Sequence, residues 1–496
     1  MNKKSLIIIS VLFLIIIGCT RGEALGKEIL KDEDLKSLNL EDMTEYRIDV
    51  ELNKKNNKLY TGWQYTTFTN TSKETLEEIY FHLYPNAFKD LEDAPILMKG
   101  LFTDPMSYDK GYIDILEVSA DDRNRDLQYS VTGKDDTILK VILDKPLEPN
   151  KRIELFLGYD AKLPNVKERF GYGLRTMNFG NWYPILCVYD EDSWNLEPYY
   201  ELGDPFYSQT ANYKVNIRTP KNMVVASSGS IVNENIVGDE KIYEIEGEYI
   251  RDFAWVASPD FKIRESKADN TLVKVYYLDE KNTTLKTAMD SAVDSIKTFN
   301  GLFGEYPYSQ YTVVITEFPS GMEYPTLSFI SNDYFSNGTK EILEQVIVHE
   351  TAHQWWYSII GSNQVKEAWL DEALATYSEV LYNREVYGEE KARDFYQENI
   401  SNGFEYGKRY LGDDQTVNKH LSEFSGWDEY GILVYTKGAM FINQIDKSFG
   451  EEVLYRILKE YYKEYKYQNA KTEDFIRICE EVTGTNFNKL VDTWLN

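Results

Sequence analysis

The chain has few cysteines and histidines, no excess of basic residues, and no apolar run long enough to cross a bilayer. Three cysteines in 496 residues exclude a disulfide-built scaffold. Two of them, Cys187 and Cys479, are far apart in sequence and read as packing residues. Lys and Arg number 54 against 82 Asp and Glu, for a formal net charge of −28. Such a surface repels phosphate backbones, which excludes nucleic acid as a partner. The same balance suits a soluble ectodomain. The apolar run at residues 6–17, interrupted only by Ser10, falls short of the ~20 residues that a spanning helix requires. No internal repeat or low-complexity tract stands out.

That short run has a different reading. Lys3 and Lys4 precede it and Gly18-Cys19 ends it, the layout of a secretion signal. Ile16-Ile17-Gly18-Cys19 resembles a bacterial lipobox, so residues 1–18 are predicted to be removed and Cys19 lipidated. Two or more acyl chains anchor a protein stably where one is marginal. The expectation is a protein held to the cell membrane through Cys19, facing the extracytoplasmic side. Residues 19–43, charged and poor in aromatics, read as a flexible spacer.

From residue 44 the texture is β. Tyr46, Ile48, Val50 and Leu52 alternate with polar residues, as do Ile79, Phe81 and Leu83, and then Tyr213, Val215 and Ile217. Turn-forming stretches at 53–58 and 219–223 separate such runs, so residues 44–262 are expected to form an antiparallel β domain. His82 falls opposite the Ile79/Phe81/Leu83 face and reads as structural. Residues 263–496 begin with strands near 274–278 and 312–318 around a helix at 284–300. They then turn helical over 340–360, 364–387, 389–402, 432–448, 451–465 and 472–482. The fold class is a multidomain α+β protein.

The chemistry is concentrated in one motif. His349, Glu350 and His353 lie in VIVHETAHQWW, and Glu372 follows after eighteen intervening residues in AWLDEALATY. With only four histidines in the chain, this pattern lies far outside chance. Histidines four apart share one helix face, so both imidazoles reach one zinc ion while Glu350 faces the metal's open side. A catalytic zinc takes three protein ligands and a water, and Glu372 is placed to be the third ligand. Ile342, Val346 and His349 fall on one stripe, and imidazoles facing an apolar core would be costly without a metal.

With these residues in hand, the chain resembles the aminopeptidase N family of gluzincin metallopeptidases, most strongly at 318–377 and 430–439. The resemblance implies a thermolysin-like, mostly helical catalytic domain after the β domain. It implies one Zn2+ on His349, His353 and Glu372, with Glu350 as general base. PSGMEYP at 319–325 is similar to the family's Gly-x-Met-Glu-Asn element. That match implies that Glu323 holds the substrate's free amino group and that Gly321 and Met322 line its backbone. Ser320 and Tyr324 depart from the pattern. YGILVYTKGA at 430–439 resembles the Tyr-x-Lys-Gly-Ala element, implying that Tyr435 binds the oxyanion, with Tyr430 a weaker candidate. GNWYP at 180–184 and RDFAWVASPDF at 251–261 resemble stretches of the family's β domain. Asp371 stands where the family has asparagine, and the large C-terminal helical domain common in the family is expected to be missing. The implied activity is removal of N-terminal residues from peptides. An endopeptidase on the same machinery and a non-catalytic scaffold lipoprotein are the alternatives.

Overall fold

The computed structural model describes residues 42–97, 107–412 and 414–496. The predicted signal at 1–18, Cys19 and nearly all of the predicted spacer lie outside the described residues. Among the described residues no helix is long and apolar enough to cross a membrane.

Alternation along Thr44–Leu52 puts every second side chain inside, and a strand with one buried face pairs in a fixed register. An eight-stranded sheet results. Its order is Ser230–Val237, Glu240–Ile250, Ala211–Pro220, Thr44–Leu52, Leu59–Thr69, Arg152–Lys162, Tyr112–Ala120, Arg125–Asp126. All neighbours run antiparallel except Thr44–Leu52 and Ala211–Pro220, which are parallel. These two strands are joined through most of the β region rather than by a hairpin, and only such a long crossover permits a parallel pair. Two four-stranded sheets, one built on Trp255–Ser258 and one on Leu76–His82, share a core with it that includes Ile48, Phe81, Trp182 and Trp255.

A five-stranded sheet follows: Lys262–Ala268, Thr271–Tyr277, Gln310–Thr316, Leu327–Ser331, Gly321–Met322. Gln310–Thr316 is buried at every position, its polar Gln310, Thr312 and Thr316 included, as a strand covered on both faces must be. Gly321–Met322 forms the outer edge, antiparallel to Phe329 and Ile330. The helices Asn282–Leu302, Lys340–Ala352, Trp369–Tyr387 and Gly438–Phe449 join this sheet in a second core.

Several helix limits differ from the sequence expectation. The helix predicted over 340–360 ends at Ala352. Trp355 and Trp356 are both fully buried at different sites, their indoles donating to Gly304 O and Ser378 Oγ. Tyr357 has φ 141°, outside the helical region, so the chain leaves the helix to bury both rings. The helix expected from 364 starts at Trp369. In the predicted helices 389–402 and 432–448, π-helical turns replace α at Tyr396–Ser401 and Gly431–Lys437. Within Lys340–Ala352 the buried positions include Leu343, Ile347 and Thr351, whereas Ile342 is 44% exposed. Ile342 therefore turns out of the core, while Val346 packs against its edge.

The β region and the helical region interlock through Arg251, whose guanidinium is fully buried. It donates to Tyr357 O at 2.8 Å, to Gln468 O at 3.1 Å and to Asn469 Oδ1. Cys187 and Cys479 are both buried free thiols, each held above its ordinary pKa by burial.

Candidate active site

Thr339 Oγ1 accepts from Ile342 N and starts the helix that carries His349 and Glu350 in its last turns. His353 is its C-cap residue. Glu372 stands in the first turn of Trp369–Tyr387. Trp369 anchors that turn, fully buried with Nε1 donating to Thr472 Oγ1 at 2.9 Å. The two helices bring three donor atoms together. His349 Nε2 lies 3.1 Å from His353 Nε2 and 3.2 Å from Glu372 Oε2, and His353 Nε2 is 3.4 Å from the same oxygen.

These residues fit a zinc ion. A tetrahedral centre with bonds of ~2.0–2.1 Å sets its ligand atoms roughly 3.3 Å apart. The outer nitrogens show which lone pairs are free. His349 Nδ1 faces Glu379 Oε1 at 2.8 Å, and His353 Nδ1 faces Asp371 Oδ1 at 2.5 Å and Trp356 O at 3.0 Å. A carbonyl can only accept, so Nδ1 of His353 carries the proton. Carboxylate partners assign the same tautomer to His349. Both Nε2 lone pairs then point at each other and at a carboxylate, an arrangement that calls for a cation. Glu323, His353 and Asp371 also have donor atoms within 4.8 Å of one another. The proton on Nδ1 makes Asp371 an orienting group for His353. Gln364 Nε2 donates to the other oxygen of Asp371.

Glu350 is 6% exposed, and its carboxylate occupies the space that a Cβ on Gly321 would need. Glycine at 321 is what allows the edge strand to approach Glu350. Burial pushes the Glu350 carboxyl up to about 7, against the pull of His349 and His353. Glu323 is 3% exposed, and its Oε1 has no hydrogen-bond partner among the described residues. Burial, and then the like charge of Asp204, hold it well above the usual carboxylate range, with His353 opposing. Met322 points into the β-domain core. Tyr435, on the π-helical turn, donates to Glu372 Oε1 at 2.6 Å and stacks near His349 with ring centroids 5.9 Å apart. Tyr430 is also buried, and its hydroxyl abuts Gly203. Sequence reading missed Asp204, which reaches in from the β region with Arg169 Nη2 at 2.6 Å from Oδ1 and faces Glu372. Nothing local in GDPFY marks it. Glu379 was findable, since it lies two helical turns from Glu372 on the same face.

Residues 287–494 match the Peptidase family M1 domain. Aminopeptidase M1-D of Oryza sativa subsp. japonica is 26% identical over 299 residues, covering 57% of this chain and 34% of that protein. Endoplasmic reticulum aminopeptidase 2 of Homo sapiens is 22% identical over 382 residues, covering 70% and 38%. The chain thus spans little more than a third of the length of these curated relatives. An M1 zinc metallopeptidase from Deinococcus radiodurans superimposes with a TM-score of 0.66 at 15% identity, over 92% of this chain and 94% of that one. Residues 287–494 are thus similar to a peptidase family M1 domain, and the chain shares the fold of the Deinococcus radiodurans M1 zinc metallopeptidase.

Proposed function

We propose that this protein is a zinc aminopeptidase that removes residues from the free N-terminus of peptides. The observation that carries the reading is Glu323, a buried carboxylate with an unpartnered oxygen, within 4.8 Å of a ring nitrogen of the metal-binding His353. A peptide α-amine, with a pKa of ~7.7–8.0, is mostly ammonium at neutral pH and is the cation such a group would hold. Asp204 supplies a second carboxylate from the β region, kept in place by Arg169.

A zinc ion held by His349, His353 and Glu372 would supply Lewis acidity toward the scissile carbonyl and a lowered pKa for the attacking water. Glu350 takes the proton of that water and passes it to the leaving amine. Tyr435 donates its hydroxyl to the carbonyl oxygen as negative charge develops there. The free edge of Gly321–Met322 pairs with the substrate backbone as an added strand. Glu323 fixes the register at one residue.

Truncating one partner of a desolvated charge pair costs ~2–5 kcal/mol, so Glu323→Ala loses about 30- to several-thousand-fold in kcat/KM. N-acetylating the substrate removes the same contact from the other side, and the two losses do not add. Equal cleavage of free and acetylated peptides, or cleavage at internal bonds, would replace this reading with an endopeptidase. We propose further that the protein is tethered to the membrane through a lipidated Cys19, a reading supported by the sequence of the N-terminus alone.

A further inference from the structure

Glu323 leads into a turn at residues 324–327 that is gripped from two sides. From the metal-site side, Gln354 Nε2 donates to Tyr324 O at 3.1 Å and Gln354 Oε1 accepts from Thr326 N at 2.7 Å. From the β side, Tyr324 OH donates to Asn181 Oδ1 at 3.1 Å, and Asn181 Nδ2 donates to Asp252 Oδ2 at 3.1 Å. The other oxygen of Asp252 accepts from Phe253 N at 2.6 Å and from Tyr183 OH at 3.3 Å. Gly229 N donates to Thr326 Oγ1 at 2.8 Å. Tyr324, Asn181, Asp252 and Thr326 are all buried.

The steric fit points the same way. A Cβ on Gly180 would collide with the hydroxyl of Tyr324, so the ring is seated in a notch that only glycine leaves open. Thr326 has φ 60°, in the left-handed region that a β-branched residue avoids. Strain of this kind persists only where the surroundings over-determine it. A contact that merely packed the β region against the catalytic sheet would be served by an apolar ring. Here a polar chain of two hydrogen bonds ends on a carboxylate that is itself held by a backbone amide.

We propose that Tyr324 is a positioning residue for substrate recognition: the Tyr324–Asn181–Asp252 chain carries the frame of the β region to Glu323 and sets where its carboxylate meets the substrate ammonium. The inference rests on the reading of Glu323 as the ammonium anchor. A displacement of ~1 Å at such an anchor is enough to cost about 10²-fold.

Tyr324→Phe keeps the ring and removes the hydroxyl. In the full chain it is expected to lower kcat/KM for a free-N-terminus peptide by about 10- to 100-fold, with unchanged zinc content. Cleavage of the N-acetylated peptide stays as it was, so the free-to-blocked ratio narrows. Asn181→Gly gives the same signature, since glycine takes the positive φ of 51° at this position without strain, and it guards against a folding failure of the first variant. In a Glu323→Ala background, Tyr324→Phe has no further effect. A lowered Tm with an unchanged free-to-blocked ratio in both variants, or a Tyr324→Phe loss that adds to that of Glu323→Ala, would make the chain a purely structural contact and overturn the inference. If Glu323→Ala alone leaves the ratio unchanged, the aminopeptidase reading itself has failed, and this inference falls with it.

Discussion

At the scale of single residues, the proposed mechanism separates groups that would hold the metal from groups that would move protons or bind charge. Glu350 is placed against Gly321 and outside the donor trio. Glu350→Gln should therefore retain one zinc per chain by metal analysis while turnover is lost, because an amide cannot accept the water's proton. Loss of the zinc together with the activity would show Glu350 to be a ligand. Tyr435 differs in kind, since the proposed mechanism needs its hydroxyl mainly when the carbonyl oxygen becomes an anion. Removing one oxyanion donor typically costs ~2.7–4 kcal/mol, so Tyr435→Phe should lower kcat about 10²–10³-fold with little change in KM. Tyr430→Phe, whose hydroxyl abuts Gly203, should be far milder. The reverse order in steady-state kinetics would mean that Tyr430 is the oxyanion donor.

At the scale of elements, the strand Leu76–His82 shows what burial does to a titrating group. His82 is 1% exposed, stacks on Tyr84 at 4.7 Å, and neither ring nitrogen has a partner among the described residues. Burial alone lowers its pKa to about 3. In the unfolded chain the ring titrates near ~6.5, so between those values the unfolded state takes up a proton that the folded state refuses. Stability is undiminished above pH ~6.5 and falls as pH drops through that window, by up to ~1.4 kcal/mol per pH unit. His82→Phe keeps the stack and deletes the proton site. Its stability relative to wild type, from urea unfolding, should rise steadily between pH 7 and 4. A difference independent of pH would show that His82 is protonated in the folded strand.

At the scale of the whole molecule, the two cores and the Arg251 clamp give the folded chain a frame that does not depend on the metal. Chelation should abolish peptidase activity and lower the Tm, since a ligand that binds only the native state stabilises it by mass action. Far-UV circular dichroism should still show the β and helical content. Collapse of that signal on chelation would make the metal part of the fold. The proposed lipid tether is tested on intact cells: Cys19→Ser should release the protein from membranes or block signal removal. A mature N-terminus starting downstream of Cys19 without modification, seen by mass spectrometry, would refute it.

What the sequence determined by itself is what repeats locally. Two histidines four apart, an acid at a set distance and alternation along Thr44–Leu52 follow from helix and strand periods, so the donor trio and the β texture were legible. Tyr435 and Glu323 were picked out by the motifs around them, and both lie beside the donor trio. The end of the metal helix at Ala352 was not, because burial of Trp355 and Trp356 at separate sites overrides the helical preference of the segment. The parallel pairing of Thr44–Leu52 with Ala211–Pro220 was hidden for a similar reason, since nothing in either strand names its partner. Asp204 beside Glu372, Asp371 turned onto His353, and Tyr324 seated on Gly180 were decided only by the tertiary structure. In the first and last of these pairs the partners lie more than a hundred residues apart. Their contact depends on how the β region packs against the catalytic sheet, and no periodicity within either segment encodes that packing.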